Sequence, residues 1–158
     1  MDRDFSMLIS SKKSLRAFVT GMMIGLMVYG FASTAYAGIA TGSNSVASGC
    51  GYTHRAYNMI HTYTSNGVKR AKATTGVLNN QTIPSGYVGV IAKLHNGSGA
   101  LVKESSWTYN PIARDGWGSN ITQDSASGER YSEGAHKVWQ GSSYTTHGTF
   151  RSPSQSVY

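Results

Sequence analysis

Residues 87–95, YVGVIAKLH, alternate in polarity, and this period of two limits the fold more than any other segment of the chain. In an extended strand, successive side chains point to opposite faces of a sheet. One face of the predicted strand then carries four apolar side chains: Val88, Val90, Ala92 and Leu94. The turn sequence of residues 96–99, NGSG, follows, and residues 100–109 return with aromatic and aliphatic side chains. The pattern predicts a β-hairpin.

Other segments have the same character. Residues 50–65 and 68–78 flank the turn dipeptide Asn66-Gly67, and a second hairpin is predicted from residues 129–139 and 144–151. Ala71, Ala73, Thr75 and Val77 are expected on one face of the strand that contains them. Residues 79–86 and 110–128 are predicted as loops. About six sequential strands predict an all-β fold, either a small antiparallel β-sandwich or a compact barrel built from hairpins.

The first 37 residues have the organisation of a secretory signal peptide, which is expected to precede the domain as a helix. Lys12, Lys13 and Arg16 make the leader positive, and residues 17–31 carry no charge. Ala35-Tyr36-Ala37 places small residues where signal peptidase requires them, so cleavage is predicted between Ala37 and Gly38. The chain is then secreted by a Sec-type route. An uncleaved membrane anchor is disfavoured, because the uncharged run is shorter than the ~20 apolar residues that span a bilayer.

After cleavage the chain is predicted to have three parts. Residues 38–49, GIATGSNSVASG, are small and polar and are expected to be a flexible N-terminal stretch. Residues 50–153 are expected to form a single β-rich domain, and residues 154–158 a C-terminal tail.

The predicted mature chain is basic and contains one cysteine. Ten Lys and Arg residues against five Asp and Glu residues give residues 38–158 a formal charge of +5. This charge favours an anionic cell-envelope polymer or a membrane surface as partner; net charge for solubility alone is the alternative. Nucleic acid is not expected, since the basic residues are scattered and the chain is exported. Cys50 has no intrachain partner, which leaves a buried thiol, a free thiol or an intermolecular disulfide.

The sequence contains no recognisable catalytic or metal-binding motif, and no cofactor is predicted. The five histidines lack the short spacings of zinc sites, and the nucleophile elbow G-x-S-x-G is absent. On one strand, Glu129 and Glu133 would lie roughly 13 Å apart, too far for the usual glycosidase pair. These carboxylates are expected to be solvated surface groups.

Six aromatic residues lie in the second half of the chain: Trp107, Tyr109, Trp117, Trp139, Tyr144 and Phe150. In a small β domain such residues more often form the core than a ligand-binding surface. Trp117 is the exception, because the surrounding sequence Arg114-Asp115-Gly116-Trp117-Gly118 predicts a loop in which burial is not required. Trp117 and Arg114 are therefore the predicted ligand contacts.

Residues 86–111 and 128–153 resemble a family of small secreted β-rich proteins of Gram-positive bacteria that has no assigned function. The matching residues are Gly86 to Leu94, Leu101, Val102, Trp107, Tyr109, Asn110, Tyr131, Ser132, Gly134, Gln140, Gly141, Tyr144, Ser152 and Pro153. This resemblance implies a secreted β-rich fold and transfers no catalytic residue.

A second resemblance is to the lactococcin-type β-sandwich bacteriocins. It rests on Tyr63-Thr64-Ser65, the predicted strand around residues 73–77, and the aromatic strand that ends in Tyr109-Asn110. Those proteins lack the C-terminal hairpin predicted here, which places a shared activity in doubt.

These features predict a secreted, non-enzymatic interaction protein that acts at a bacterial cell surface, with a bacteriocin-like toxin as one version. Two alternatives remain open: a small secreted hydrolase whose site is assembled across strands, and a structural matrix or coat component. A hydrolase would lose turnover when a Ser or carboxylate is replaced, and a coat component would self-assemble.

Overall fold

The computed structural model describes residues 38–158, in which eleven strands and no helix occur. The strands are β1 Gly38–Thr41, β2 Ser45–Gly49, β3 Tyr52–Ser65, β4 Val68–Ile83, β5 Val88–Asn96, β6 Leu101–Glu104, β7 Thr108–Tyr109, β8 Arg114–Asp124, β9 Gly128–Trp139, β10 Tyr144–Gly148 and β11 Gln155–Val157. The predicted signal peptide, including Ala37 of the cleavage site, lies outside the described residues.

The strands form two antiparallel sheets that pack face to face. The first sheet has the order β1-β3-β4-β8, with β2 also paired to β3. The second sheet has the order β10-β9-β5-β6, with β11 also paired to β9 and β7 also paired to β5. The predicted all-β sandwich built from hairpins is confirmed.

The alternation of the central strands determines which side chains face the other sheet. Val88, Val90, Ala92 and Leu94 are all fully buried, as the pattern of β5 predicts. Ala71, Ala73, Thr75 and Val77 of β4 are likewise buried. On β9 the inward face carries Ser132, Gly134, His136 and Val138, while the opposite face points outward.

A belt of polar side chains divides the core into two apolar clusters. One cluster includes Ile60 and Leu94, and the other includes Val77 and Val88. Between them, the Asn58 side chain donates to Thr149 Oγ1 and to the Phe150 carbonyl at 2.9 Å, and accepts from Thr75 Oγ1 at 2.6 Å. These bonds satisfy the amide, which would otherwise be costly to bury.

Three segments have more regular structure than the sequence predicted. Residues 38–49, expected to be flexible, form β1 and β2 on one edge of β3. Residues 155–157, expected to be a tail, form β11 on β9. Residues 114–124, predicted as part of a long loop, form β8 and pair with β4. All three lie at sheet edges, where the backbone hydrogen bonds of the neighbouring strand stabilise small and polar sequences that bury little side chain.

Candidate functional site

The outer face of the first sheet has a lane of glycines where β4 and β8 meet. Gly76 is paired with Tyr57 of β3 on one side and with Gly118 of β8 on the other, and Leu78 is paired with Gly116. The ring of Tyr57 lies over Gly76, where a Cβ atom would collide with it. Since the glycines present no side chains, the surface sinks into a depression of about 370 Å³. We call this the glycine groove; it is lined by Tyr57, Leu78, Arg114, Asp115, Gly116 and Gly118, with Val77 and Trp117 beneath.

A bulge in β4 shapes the adjoining surface. Leu78 pairs with Gly116, but the next paired residues are Ile83 and Arg114, so β4 carries extra residues between the two pairs. Asn79 within the bulge donates from Nδ2 to the Asp115 carbonyl at 3.0 Å. A second depression of about 560 Å³ shares Leu78 with the groove and is lined by Thr53, Arg55, Asn79 and Asn80. This second depression therefore places the guanidinium of Arg55 and the side-chain amides of Asn79 and Asn80 beside the groove.

The structure brings the two predicted ligand contacts together. The guanidinium carbon of Arg114 lies 5.3 Å from the centre of the Trp117 ring, within the range of a cation–π contact. Arg114 is exposed at the start of β8. The predicted loop position of Trp117 is wrong, because Trp117 pairs with Val77 and packs its half-buried ring against the core. Its Nε1 donates to the Thr108 carbonyl at 3.2 Å, so the ring is a fixed support for Arg114.

The glycine groove and the adjoining depression together carry two arginines, Arg55 and Arg114, against one carboxylate, Asp115. Within residues 38–158, the ion pairs between side chains join Arg70 to Asp124, Lys93 to Glu104 and His95 to Glu133. Arg55 and Arg114 take part in none of these pairs, and Asp115 is the one carboxylate that lines the groove. An incoming anion would therefore meet two guanidinium groups that form no ion pair with a described carboxylate, at a surface with a formal charge of +1.

Four residues of this surface carry no signal in the sequence pattern: Tyr57, Arg55, Asn79 and Asn80. They lie on β3 and in the β4 bulge, more than thirty positions from Arg114, and join it only through strand pairing. The pair Gly116 and Gly118 was a visible signal, but it was interpreted as loop composition.

The other predicted aromatic residues do not form the core. Both apolar clusters consist mainly of Ile, Val, Leu and Ala, whereas Trp107, Tyr109, Trp139 and Tyr144 lie on the outward side of the second sheet. Phe150 is 58% exposed. The expectation of an aromatic core is wrong for these five residues, because smaller side chains fill the space between the two sheets.

Three of the histidines come close together between β3, β9 and β10. His136 is fully buried, and neither of its ring nitrogens has a hydrogen-bond partner. Burial, followed by the neighbouring His147 and His54, lowers the pKa of His136 from 6.5 to about 4. Burial also lowers the pKa of His54, whose Nδ1 lies 2.6 Å from Asn79 Oδ1. Over the described part of the chain, no group of three or more His, Cys, Asp and Glu side chains is arranged to hold a metal ion.

Residues 38–158 contain no helix long and apolar enough to cross a membrane. Comparison with protein-family models, with curated proteins and with solved structures finds no match for this chain.

Proposed function

We propose that this chain is a secreted, non-enzymatic interaction protein that binds an anionic polymer of the bacterial cell surface through the glycine groove. The observation that carries the proposal is the pair of guanidinium groups, Arg55 and Arg114, beside two connected depressions on one sheet face. A guanidinium can donate two parallel hydrogen bonds to a phosphate or a carboxylate, the acidic groups of such polymers.

The surroundings of Arg114 favour binding of an extended chain. Trp117 holds the guanidinium from one side, which reduces the entropy lost when Arg114 engages a ligand. The two depressions are open and adjoin at Leu78, which lines both, so a polymer can cross the sheet face rather than end in a pocket. The formal charge of +5 adds a longer-range attraction that salt weakens.

The test is co-sedimentation of residues 38–158 with intact Gram-positive cells, at low salt and at about 0.5 M NaCl, where screening is nearly complete beyond a few ångströms. We expect saturable pelleting that weakens in salt. Arg114→Ala should weaken pelleting about tenfold, because a charge-assisted hydrogen bond contributes roughly 1.5–3 kcal/mol. Arg55→Ala should act in the same direction.

The matched control is Lys69→Ala, which removes one positive charge from β4 about 30 Å along the strand from Leu78. It should change pelleting much less than Arg114→Ala. Equal losses in the two variants would assign binding to net charge and contradict a groove-specific site. Binding to anionic lipid vesicles but not to a soluble glycerol-phosphate polymer would contradict the polymer and indicate a membrane surface.

A growth assay on the same cells tests the bacteriocin-like version of this proposal. In that version, the wild-type protein arrests growth at concentrations that saturate pelleting, and Arg114→Ala does not. Binding to cells without growth arrest would contradict the bacteriocin-like version and support a non-toxic surface protein.

A further inference from the structure

The outer face of the second sheet carries two tyrosines that meet above its centre. Tyr109 on β7 is paired with Gly89 of β5, and its ring lies across Gly89, where a Cβ atom would stand 2.7 Å from Tyr109 Cε1. Tyr144 lies on β10, beyond β9, at the opposite edge. Their ring centres are nevertheless 5.2 Å apart. Since strands are spaced about 4.8 Å apart, both side chains must extend across the intervening strands, and their ring planes meet at 55°.

Two tryptophans extend this surface. Trp139 pairs with Tyr144, and their ring centres lie 5.0 Å apart with planes at 62°. Lys137 is paired with Gly89, in the same row as Tyr109, and its Nζ lies 4.4 Å from the centre of the Trp107 ring. We call Trp107, Tyr109, Trp139 and Tyr144 the aromatic face.

A shallow site lies at one end of the aromatic face. Trp139, Tyr144 and Tyr87 border a depression of about 280 Å³, together with Ser85 and Gly86. The hydroxyl of Tyr144 donates to the Gly86 carbonyl, so the ring is held in place before any ligand arrives. Tyr109 and Tyr144 are each 37% exposed in this arrangement.

We propose that the aromatic face is a second binding site, which takes the uncharged pyranose rings of a glycan. A pyranose presents apolar C–H groups on its faces and hydroxyls at its rim. Rings fixed on a sheet match those faces, because aromatic surface is apolar with a negative face that attracts C–H hydrogens. Ser85, the Gly86 carbonyl and Lys137 provide polar groups for the hydroxyls at the margins.

The geometry favours a glycan over a protein or a lipid surface. The exposed parts of these four rings form a small patch, whereas a stable protein interface needs roughly 800 Å² from each partner. Insertion into lipid needs side chains that protrude, but the Tyr144 ring packs against the rings of both Tyr109 and Trp139. This site is separate from the glycine groove, which lies on the other sheet.

The test is titration with the tetramers of N-acetylglucosamine and of glucose, followed by tryptophan fluorescence. Trp117→Phe serves as the parent, because it leaves Trp107 and Trp139 on the aromatic face as the reporters. We expect a saturable change with at least one tetramer that persists in about 0.5 M NaCl, where screening removes charge attraction. Tyr144→Ala should weaken binding about tenfold, from the lost stacking contact.

Three variants distinguish this site from other causes. Phe150→Ala removes an exposed ring outside the aromatic face and should leave binding unchanged. Tyr144→Phe keeps the ring and should retain most of the affinity. Arg114→Ala should bind the tetramer normally, so failure of the polymer-binding proposal would not remove this signal. No saturable change with either tetramer up to ~10 mM, or an equal loss in Phe150→Ala, would overturn the proposal.

Discussion

His136 on β9 and His147 on β10 are directly paired, and their imidazole rings stack with 5.3 Å between centres. His136 is fully buried without a hydrogen-bond partner, so its neutral form is strongly favoured. A protonated His136 would place a positive charge between the sheets, facing His147 and His54.

We therefore expect the domain to lose stability in mild acid. The pKa of His136 is about 4 in the folded state and about 6.5 in the unfolded chain, so the unfolded chain takes up the proton first. Stability is retained above pH 6.5 and falls as the pH drops towards 4, by about 3 kcal/mol for this group. His54, whose pKa is also lowered, acts in the same direction. Urea denaturation between pH 7 and pH 4 measures the loss.

The replacement His136→Leu should flatten this pH dependence, because the ionisable group is removed. Its stability at pH 7 should not fall by the amount typical of a lost hydrogen bond, since His136 makes none. His61→Gln, on the outer face of β3, is the control and should keep the acid sensitivity. An unchanged slope in His136→Leu would show that other groups govern acid unfolding.

Gly134→Ala should destabilise the sandwich by about 1–3 kcal/mol, the usual cost of overpacking a core. A Cβ at this position would collide with Thr75 Oγ1 and the Ile91 carbonyl, and neither can move far because one lies in the buried belt and the other is backbone. Gly148→Ala on β10 is the matched control, since a Cβ there meets nothing within 4 Å. The melting temperatures of the two variants give the comparison. A Gly134→Ala variant as stable as the wild type would mean that the two sheets move apart at little cost.

Asn58→Ala should cost about 3 kcal/mol. The change leaves Thr149 Oγ1, the Phe150 carbonyl and Thr75 Oγ1 without their shared partner inside the core. Asn120→Ala, at an exposed position on β8, should have almost no effect. Chemical denaturation midpoints of the two variants test the polar belt; similar midpoints would show that water replaces the amide.

Cys50→Asn should stabilise the domain by about 1 kcal/mol. Cys50 and Gly51 connect β2 and β3 with φ values of 48° and 80°, and Asn66 and Gly67 connect β3 and β4 with 52° and 73°. The left-handed conformation is costly for most residues, but asparagine tolerates it well. The reciprocal change Asn66→Cys should destabilise by a similar amount. Melting temperatures that move in the same direction in both variants would contradict this reasoning.

The sequence by itself determined the all-β class and the Asn66-Gly67 hairpin. It also determined the inward faces of β5 and of residues 71–77 in β4. These follow from local rules, because the period of two and the turn dipeptides act within a few residues. The sequence also predicted Arg114 and Trp117 as ligand contacts, but it did not predict the cation–π contact between their side chains.

Only the tertiary structure decided where four edge strands pair: β1, β2, β8 and β11. The backbone pairing of these segments depends on a neighbouring strand rather than on their own composition. The same holds for the surfaces. Gly118 lies beside Gly76, and Tyr109 reaches Tyr144 across Gly89, through registers that no stretch of sequence specifies locally. Gly76 and Gly89 each leave room for an aromatic ring of a paired strand, Tyr57 and Tyr109 respectively, because a residue without a side chain leaves that space open.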